Sequence, residues 1–230
     1  IRLADKYKSL DRDYDMLIPV SGGKDSHWQV SLALEIGIKP LLVTFAPSIP
    51  TPLGTQNLNN IGTLGADHFI MHSNLVIHKQ MVLHGMRLFG SPAIPMHLQI
   101  FHTSRAIAER FAIPSVFWGE NCALEYGSND ESLIRLPYSD SWFKTFGNTF
   151  NTDSKFWASE LSLPQKALSN YDDSSPGYTV DCDFFGNYFS WDPLVTSSRA
   201  ARLGFKYPQS PVLGFYSFSD LDDLLLILHH

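Results

Sequence analysis

The stretch Asp15-Met16-Leu17-Ile18-Pro19-Val20-Ser21-Gly22-Gly23-Lys24-Asp25-Ser26 decides how this chain is read. An apolar run of strand length passes into a short Ser/Gly loop, and a helical pattern follows at once. Adjacent glycines let the backbone turn sharply and come close to a ligand, because neither carries a Cβ. The helix starts near Asp25 and turns its unpaired amides and the positive end of its dipole toward the same loop. An anion belongs there. Lys24 adds a movable full charge, and the hydroxyls of Ser21 and Ser26 add donors within reach of phosphate oxygens. Asp25 cannot attract phosphate directly; it fits as a helix N-cap or as a carboxylate holding Mg²⁺ against phosphates. The spacing differs from the three-glycine dinucleotide fingerprint and from the Walker loop, which needs four residues between its first glycine and Gly-Lys. The expectation is a pyrophosphate cradle.

Outward from this loop, strands recur with helices between them, the pattern of a parallel sheet with crossover helices. Strands are expected at 15–20, 40–46, 67–72 and 114–119, each short and nearly continuously apolar, as strands buried on both faces are. Helices are expected at 25–37, 54–64, 75–89 and 97–112. In the first of them Trp28, Leu32 and Ile36, with Ala33, share one face before Gly37 ends it. The fold class is therefore α/β with a doubly wound parallel sheet. Residues 1–134 form the α/β domain. Residues 135–230, richer in Trp, Phe, Tyr, Ser and Asp, form an irregular or helical portion that covers the site and contacts substrate or a second subunit, which leaves a homo-oligomer open.

Such a sheet binds ligands beyond the carboxyl ends of its strands. Lys24, Asp25 and Glu120 are the candidate catalytic residues, and Ser21, Gly22, Gly23, Lys24, Asp25 and Ser26 the phosphate-binding ones. Val43, Thr44 and Phe45 end the second strand, where a purine ring can lie against apolar side chains and read backbone groups; a plain core strand explains them equally well. Gly119 ends the fourth strand. After it come Glu120, a carboxylate for Mg²⁺ or for orienting a nucleophile, and Asn121, an amide suited to holding a substrate amide, followed by Glu125 and Tyr126. Capping of the next segment is the alternative for Glu120 and Asn121. Asn57 on the following helix is placed to reach the phosphates or to face solvent. His97 opens a helix and either faces substrate or is packed. Trp191, in an aromatic turn, suits a sugar or nucleotide face. His68, His72, His78 and His84 have no metal-ligand spacing, so no transition metal is expected.

The 230 residues and 44% hydrophobic content suffice for one sizeable packed core with an appendage. A net charge of −6 with no Lys/Arg cluster argues against a large nucleic-acid footprint and weighs against tRNA as substrate. Cys122 and Cys182 are far apart, giving neither a disulfide framework nor a cysteine zinc site. No apolar stretch approaches the length of a membrane span and no signal peptide is visible, so a reduced, cytoplasmic setting is expected.

The Ser21–Ser26 loop resembles the SGG-x-D-S loop of the PP-loop ATP pyrophosphatases. Within that group the chain resembles the N-acetyl sugar amidotransferases of lipopolysaccharide O-antigen and nonulosonic acid biosynthesis. The residues that carry this are Tyr14 to Ser26, Pro40 to Thr44, Trp118-Gly119-Glu120-Asn121 with Glu125-Tyr126-Gly127, Gly186-Asn187-Tyr188-Phe189-Ser190-Trp191-Asp192-Pro193, and Leu203-Gly204-Phe205. Where the family often has C-x-x-C before a histidine, this chain has Ala93 and Met96 before His97, and a cysteine-bearing N-terminal segment is missing. Ile1 and the closing His229-His230 give the expectation that both ends are cut.

The resemblance implies an adenine nucleotide alpha hydrolase-like, HUP-type fold. It also implies ATP and Mg²⁺ as cofactors, and conversion of the acetamido group of a nucleotide-linked sugar to an acetamidino group through an adenylated intermediate. Ammonia would come from solution or a separate glutaminase subunit, and AMP and pyrophosphate would leave. Another PP-loop ligase, a sulfur-transfer enzyme acting on tRNA, and a non-catalytic adenine-nucleotide-binding module are the alternatives.

Overall fold

The apolar run after Asp15 forms β1 (Met16–Pro19), the middle strand of a five-stranded sheet. Its partners are β2 (Pro40–Phe45), β3 (Asp67–Met71), β4 (Ser115–Trp118) and β5 (Asp181–Phe184), in the order β3-β2-β1-β4-β5. Every pairing is parallel, with Met16 opposite Pro40, Leu17 opposite both Leu41 and Val116, Leu42 opposite His68, and Val116 opposite Cys182. This is a computed structural model, and it describes residues 2–119, 142–143, 147–172, 180–209 and 221–229.

Alternation along the strands divides the core between the two faces of the sheet. Met16, Ile18 and Val20 pack with Trp28, Val30 and Ala33 of α2 (Lys24–Glu35), joined by Leu3 and Tyr7 of α1 (Arg2–Tyr7) and by Phe117 and Phe185. Leu17, Leu41, Val43, Val116 and Trp118 pack on the other face with Phe101, Ile107 and Ala108 of α5 (Ile94–Arg110), and with Trp142 and Phe184. Met16, Leu17 and Ile18 are wholly buried. Helices on both faces make the sheet doubly wound, as expected.

The helices α3 (Pro52–Ile61) and α4 (Leu75–Phe89) complete the crossovers. A third cluster joins Met81, Ile94 and Leu98 to Trp157 of α6 (Ser154–Glu160) and to Leu168 and Tyr171 of a 3-10 turn at Gln165–Tyr171. The last described helices are α7 (Pro193–Arg202) and α8 (Leu224–His229). At the amino edge of the sheet the buried Asp15 carboxylate accepts from the backbone N–H of Ser9 at 2.8 Å and of Lys39 at 2.9 Å, fixing the loops that enter β1 and β2.

Two strands differ from expectation. β3 lies at an edge, where Phe69 and Ile70 are 45% and 43% exposed, so its apolar sequence does not mean burial on both faces. β5 comes from the segment expected to be irregular or helical. Asp-Cys-Asp-Phe is too short and acidic to register as a strand, and pairing with β4 is what makes it one.

The chain runs β1, β2, β3 outward in one direction, then places β4 and β5 on the other side of β1. The strand order therefore reverses between β1 and β4. At their carboxyl ends stand Ser21–Lys24 and Gly119, flanking the crevice where a doubly wound sheet binds its ligand.

Candidate functional site

The loop between β1 and α2 is built from its own hydroxyls and from the neighbouring helix. The Ser21 amide donates to Ser26 Oγ at 3.0 Å, and the Gly23 amide to Ser21 Oγ at 3.3 Å. Gly22 has φ +94°, and a Cβ there would stand 2.9 Å from the Leu58 backbone nitrogen of α3, so both conformation and space demand glycine. Gly23 is the N-cap of α2, with an ordinary extended backbone at φ −68° and ψ 176°. The N-cap is therefore not Asp25. With no side chain on the cap, nothing of that kind covers the amides of the first turn, whose dipole end faces the crevice.

Lys24 and Asp25 are both buried, at 9% and 8% exposure, and their side chains pair with each other. Trp191, two residues before α7, reaches across from the C-terminal segment. Its indole N–H donates to Asp25 Oδ1 at 2.9 Å, and its ring centroid lies 5.4 Å from Lys24 Nζ. Trp191 was expected at a sugar or nucleotide face; the structure sets it against the charged pair of the loop. An anion entering there would compete with Asp25 for the Lys24 ammonium.

The other expected residues divide. Thr44 donates its hydroxyl to the Val20 carbonyl at 2.6 Å and lies 2.8 Å from His68 Nε2, so the residue preceding the loop is anchored from β2. Burial holds the His68 pKa below its ordinary value, which keeps the ring neutral as a donor to Thr44. Val43 is wholly buried in the core, and its carbonyl accepts from the Val20 amide at 2.8 Å; Phe45, half-buried at the strand end, packs against the same core cluster.

Asn57 does not reach the phosphates. Its amide is committed to the backbone of Lys206, accepting from N–H at 2.8 Å and donating to C=O at 3.0 Å. His97 sits in the first turn of α5 rather than opening it, and its ring is packed inward with a bond to the Asn148 backbone. Burial pushes its pKa down to about 4, the state of a neutral packed histidine. Gly119 lies against Gln29, whose amide would be 2.7 Å from a Cβ at that position. Glu120, Asn121, Glu125 and Tyr126 lie outside the described residues.

Among the described residues, no group of three or more His, Cys, Asp and Glu side chains is arranged to hold a metal. No helix there is long and apolar enough to cross a membrane.

Three residues at the site escaped sequence reading. Gln29 follows Asp25 by one helical turn and therefore shares its face. It is 1% exposed, and its Nε2 has no partner among the described residues. That spacing was legible in SGGKDSHWQ. His27 and Asn60 were not, because their roles depend on backbone brought in from residues 203–205.

No protein-family model matches the chain, and no curated protein sequence matches it. Solved structures with a similar course include the NH3-dependent NAD synthetase of Campylobacter jejuni, at 13% identity and TM-score 0.44 over 91% of this chain and 93% of that one. NMN synthetase of Francisella tularensis is similar at 13% identity and TM-score 0.40, over 87% and 90%. A predicted subunit of tRNA methyltransferase from Methanocaldococcus jannaschii is similar at 15% identity and TM-score 0.42, over 81% and 75%. Similarity at this level carries nothing about chemistry, which rests on the residues of the crevice itself.

Proposed function

We propose that this chain is an ATP-dependent amidotransferase of the PP-loop type, acting on the acetamido group of a nucleotide-linked sugar in surface polysaccharide biosynthesis. The observation that carries the reading is the uncapped α2 N-terminus behind Ser21-Gly22-Gly23-Lys24, set at the point where strand order reverses. Amides, hydroxyls and one lysine converge there, as binding of the β and γ phosphates requires.

In this reading the acetamido oxygen attacks the α phosphorus. A new P–O bond forms, the α–β bridging P–O bond breaks, and pyrophosphate leaves into the loop. The first-turn amides, the Ser21 and Ser26 hydroxyls and Lys24 stabilise the charge that gathers on it, released from Asp25 as the anion arrives. Donors aimed at developing charge are worth on the order of 10²–10³ in rate each. Ammonia, from solution or a separate glutaminase subunit, then adds to the activated carbon; the C–O bond to AMP breaks, a proton is lost, and the acetamidino group remains. Phe45 offers a surface for the adenine ring.

Mg²⁺ fits with Asp25 as its protein carboxylate, most of its ligands coming from phosphate and water as this ion prefers. When bound it supplies charge neutralisation at the phosphates. Glu120, next in sequence after Gly119, is proposed as a second acidic group, with Asn121, Glu125 and Tyr126 on the acceptor.

The test is release of AMP and pyrophosphate in equal amounts, dependent on both an N-acetylated nucleotide sugar and ammonia. Turnover with tRNA and a sulfur donor instead would favour the sulfur-transfer reading. Tight ATP binding with no pyrophosphate under any acceptor would make the chain a nucleotide-binding module.

A further inference from the structure

His27 is wholly buried on α2, one turn beyond the loop, and every polar atom of its ring is committed. Nδ1 lies 2.9 Å from the Gly23 carbonyl, and Nε2 lies 3.0 Å from Asn60 Nδ2. A carbonyl only accepts and an amide nitrogen only donates, so the ring carries its proton on Nδ1 and accepts at Nε2. The second hydrogen of Asn60 Nδ2 goes to the Leu203 carbonyl at 2.7 Å, at the C-cap of α7. Gly204, at φ +102°, lets the chain pass Asn60, since a Cβ there would fall 2.5 Å from its Oδ1. The Phe205 ring closes the site edge-on to His27 at 5.5 Å.

These contacts form one line: Gly23 carbonyl, His27, Asn60, Leu203 carbonyl. The first member belongs to the Gly23–Lys24 peptide. In a trans peptide C=O and N–H point in opposite directions. The Gly23 carbonyl accepts the first bond of the helix from the His27 backbone N–H at 3.2 Å, and the His27 ring adds a second donor that holds it toward the helix, so the Lys24 amide is kept facing the other way, toward the loop.

We propose that His27 is a positioning residue for the anion loop, setting the Gly23–Lys24 peptide and linking its orientation to docking of the 203–205 turn through Asn60. The proposal rests on the loop being the phosphate site argued above, though not on the identity of the acceptor. It makes the C-terminal segment part of the nucleotide-binding apparatus in two places, at Trp191 on Asp25 and at Leu203 through this relay.

Two substitutions separate positioning from mere filling of space. His27→Phe keeps the ring volume and removes the N–H; His27→Asn leaves a void and keeps an amide N–H at the position of Nδ1. Calorimetric titration with inorganic pyrophosphate and with ATP is run on the wild type and both variants, beside thermal unfolding. The expected result is about tenfold weaker pyrophosphate binding in His27→Phe, equivalent to about 1.4 kcal/mol, with His27→Asn within about threefold of wild type although it is the less thermally stable of the two. Wild-type affinity in His27→Phe, or affinities that follow thermal stability in both variants, would overturn the role of His27 and leave the phosphate reading intact. A wild-type chain binding neither probe would overturn both.

Discussion

In the proposed reaction the chemistry turns on Lys24, and its surroundings define what its loss does. Its ammonium is held between Asp25 and the face of Trp191. Lys24→Ala is expected to lower AMP formation by at least about 10²-fold, as removal of a donor to developing charge does. Asp25 keeps its bond from Trp191, so circular dichroism is expected to show an intact fold. AMP produced at the wild-type rate by this variant would remove Lys24 from the mechanism. Trp191→Phe retains the ring beside Lys24 and deletes the N–H to a buried carboxylate. The expected cost is about 1–3 kcal/mol, the penalty for leaving such a group without its donor. Urea unfolding measures it, and a change below about 0.5 kcal/mol would mean that Asp25 finds another partner.

The second helix carries the proposed site, and its first turn is left without a side-chain cap. Although α5 after Ala93 also has no side-chain cap, four of the eight described α-helices follow the opposite rule, with Thr51, Asn74, Asp153 and Asp192 each capping the helix it precedes with a side-chain oxygen. Gly23 does not, although its backbone angles suit any residue and a Cβ there would meet nothing nearer than Ser21 Oγ at 3.4 Å. Folding therefore does not require glycine at this position. Gly23→Ser is expected to raise the stability of the ligand-free protein by a few tenths of a kcal/mol through N-capping, while weakening pyrophosphate binding severalfold, because the new hydroxyl occupies an amide meant for the ligand. Differential scanning calorimetry with and without pyrophosphate reads both effects. Unchanged affinity in this variant would show that the first-turn amides do not hold the anion. Gly22, in contrast, serves conformation and packing together, and the two neighbouring glycines that read alike in sequence prove to do different work.

Across the whole molecule, burial opposes protonation at four of the nine histidines. Burial lowers the pKa of His27, His68, His78 and His97, the last to about 4. Between that value and the ordinary 6.5 the unfolded chain binds a proton at His97 that the native state refuses. Stability is thus complete above about pH 6.5 and falls as pH drops toward 4, with up to about 3 kcal/mol from His97 alone. Urea midpoints across that range are expected to climb with pH, and His97→Gln to flatten the curve. An equal slope in the variant would assign acid sensitivity to the carboxylates instead.

Period-two alternation and continuous apolar runs made β1, β2 and β4 and the helices around them readable from sequence, since burial on both faces leaves few residue types that fit. The Ser21–Ser26 loop was readable as a strand-to-helix turn, where the structure places it, because paired glycines between an apolar run and a helical pattern have a narrow range of structural uses. What local sequence could not carry was pairing at a distance. Whether Asp181–Phe184 is a strand is settled by β4 alone, and Asn57 became a clamp instead of a phosphate ligand because Lys206 backbone stands opposite it. The same holds for the His27–Asn60, Asn60–Leu203 and Trp191–Asp25 contacts, which join residues at least 33 positions apart along the chain. Composition and periodicity report what a residue is and which way its element faces, whereas hydrogen-bond partners across the crevice exist only once the chain has folded and brought them within 3 Å or so.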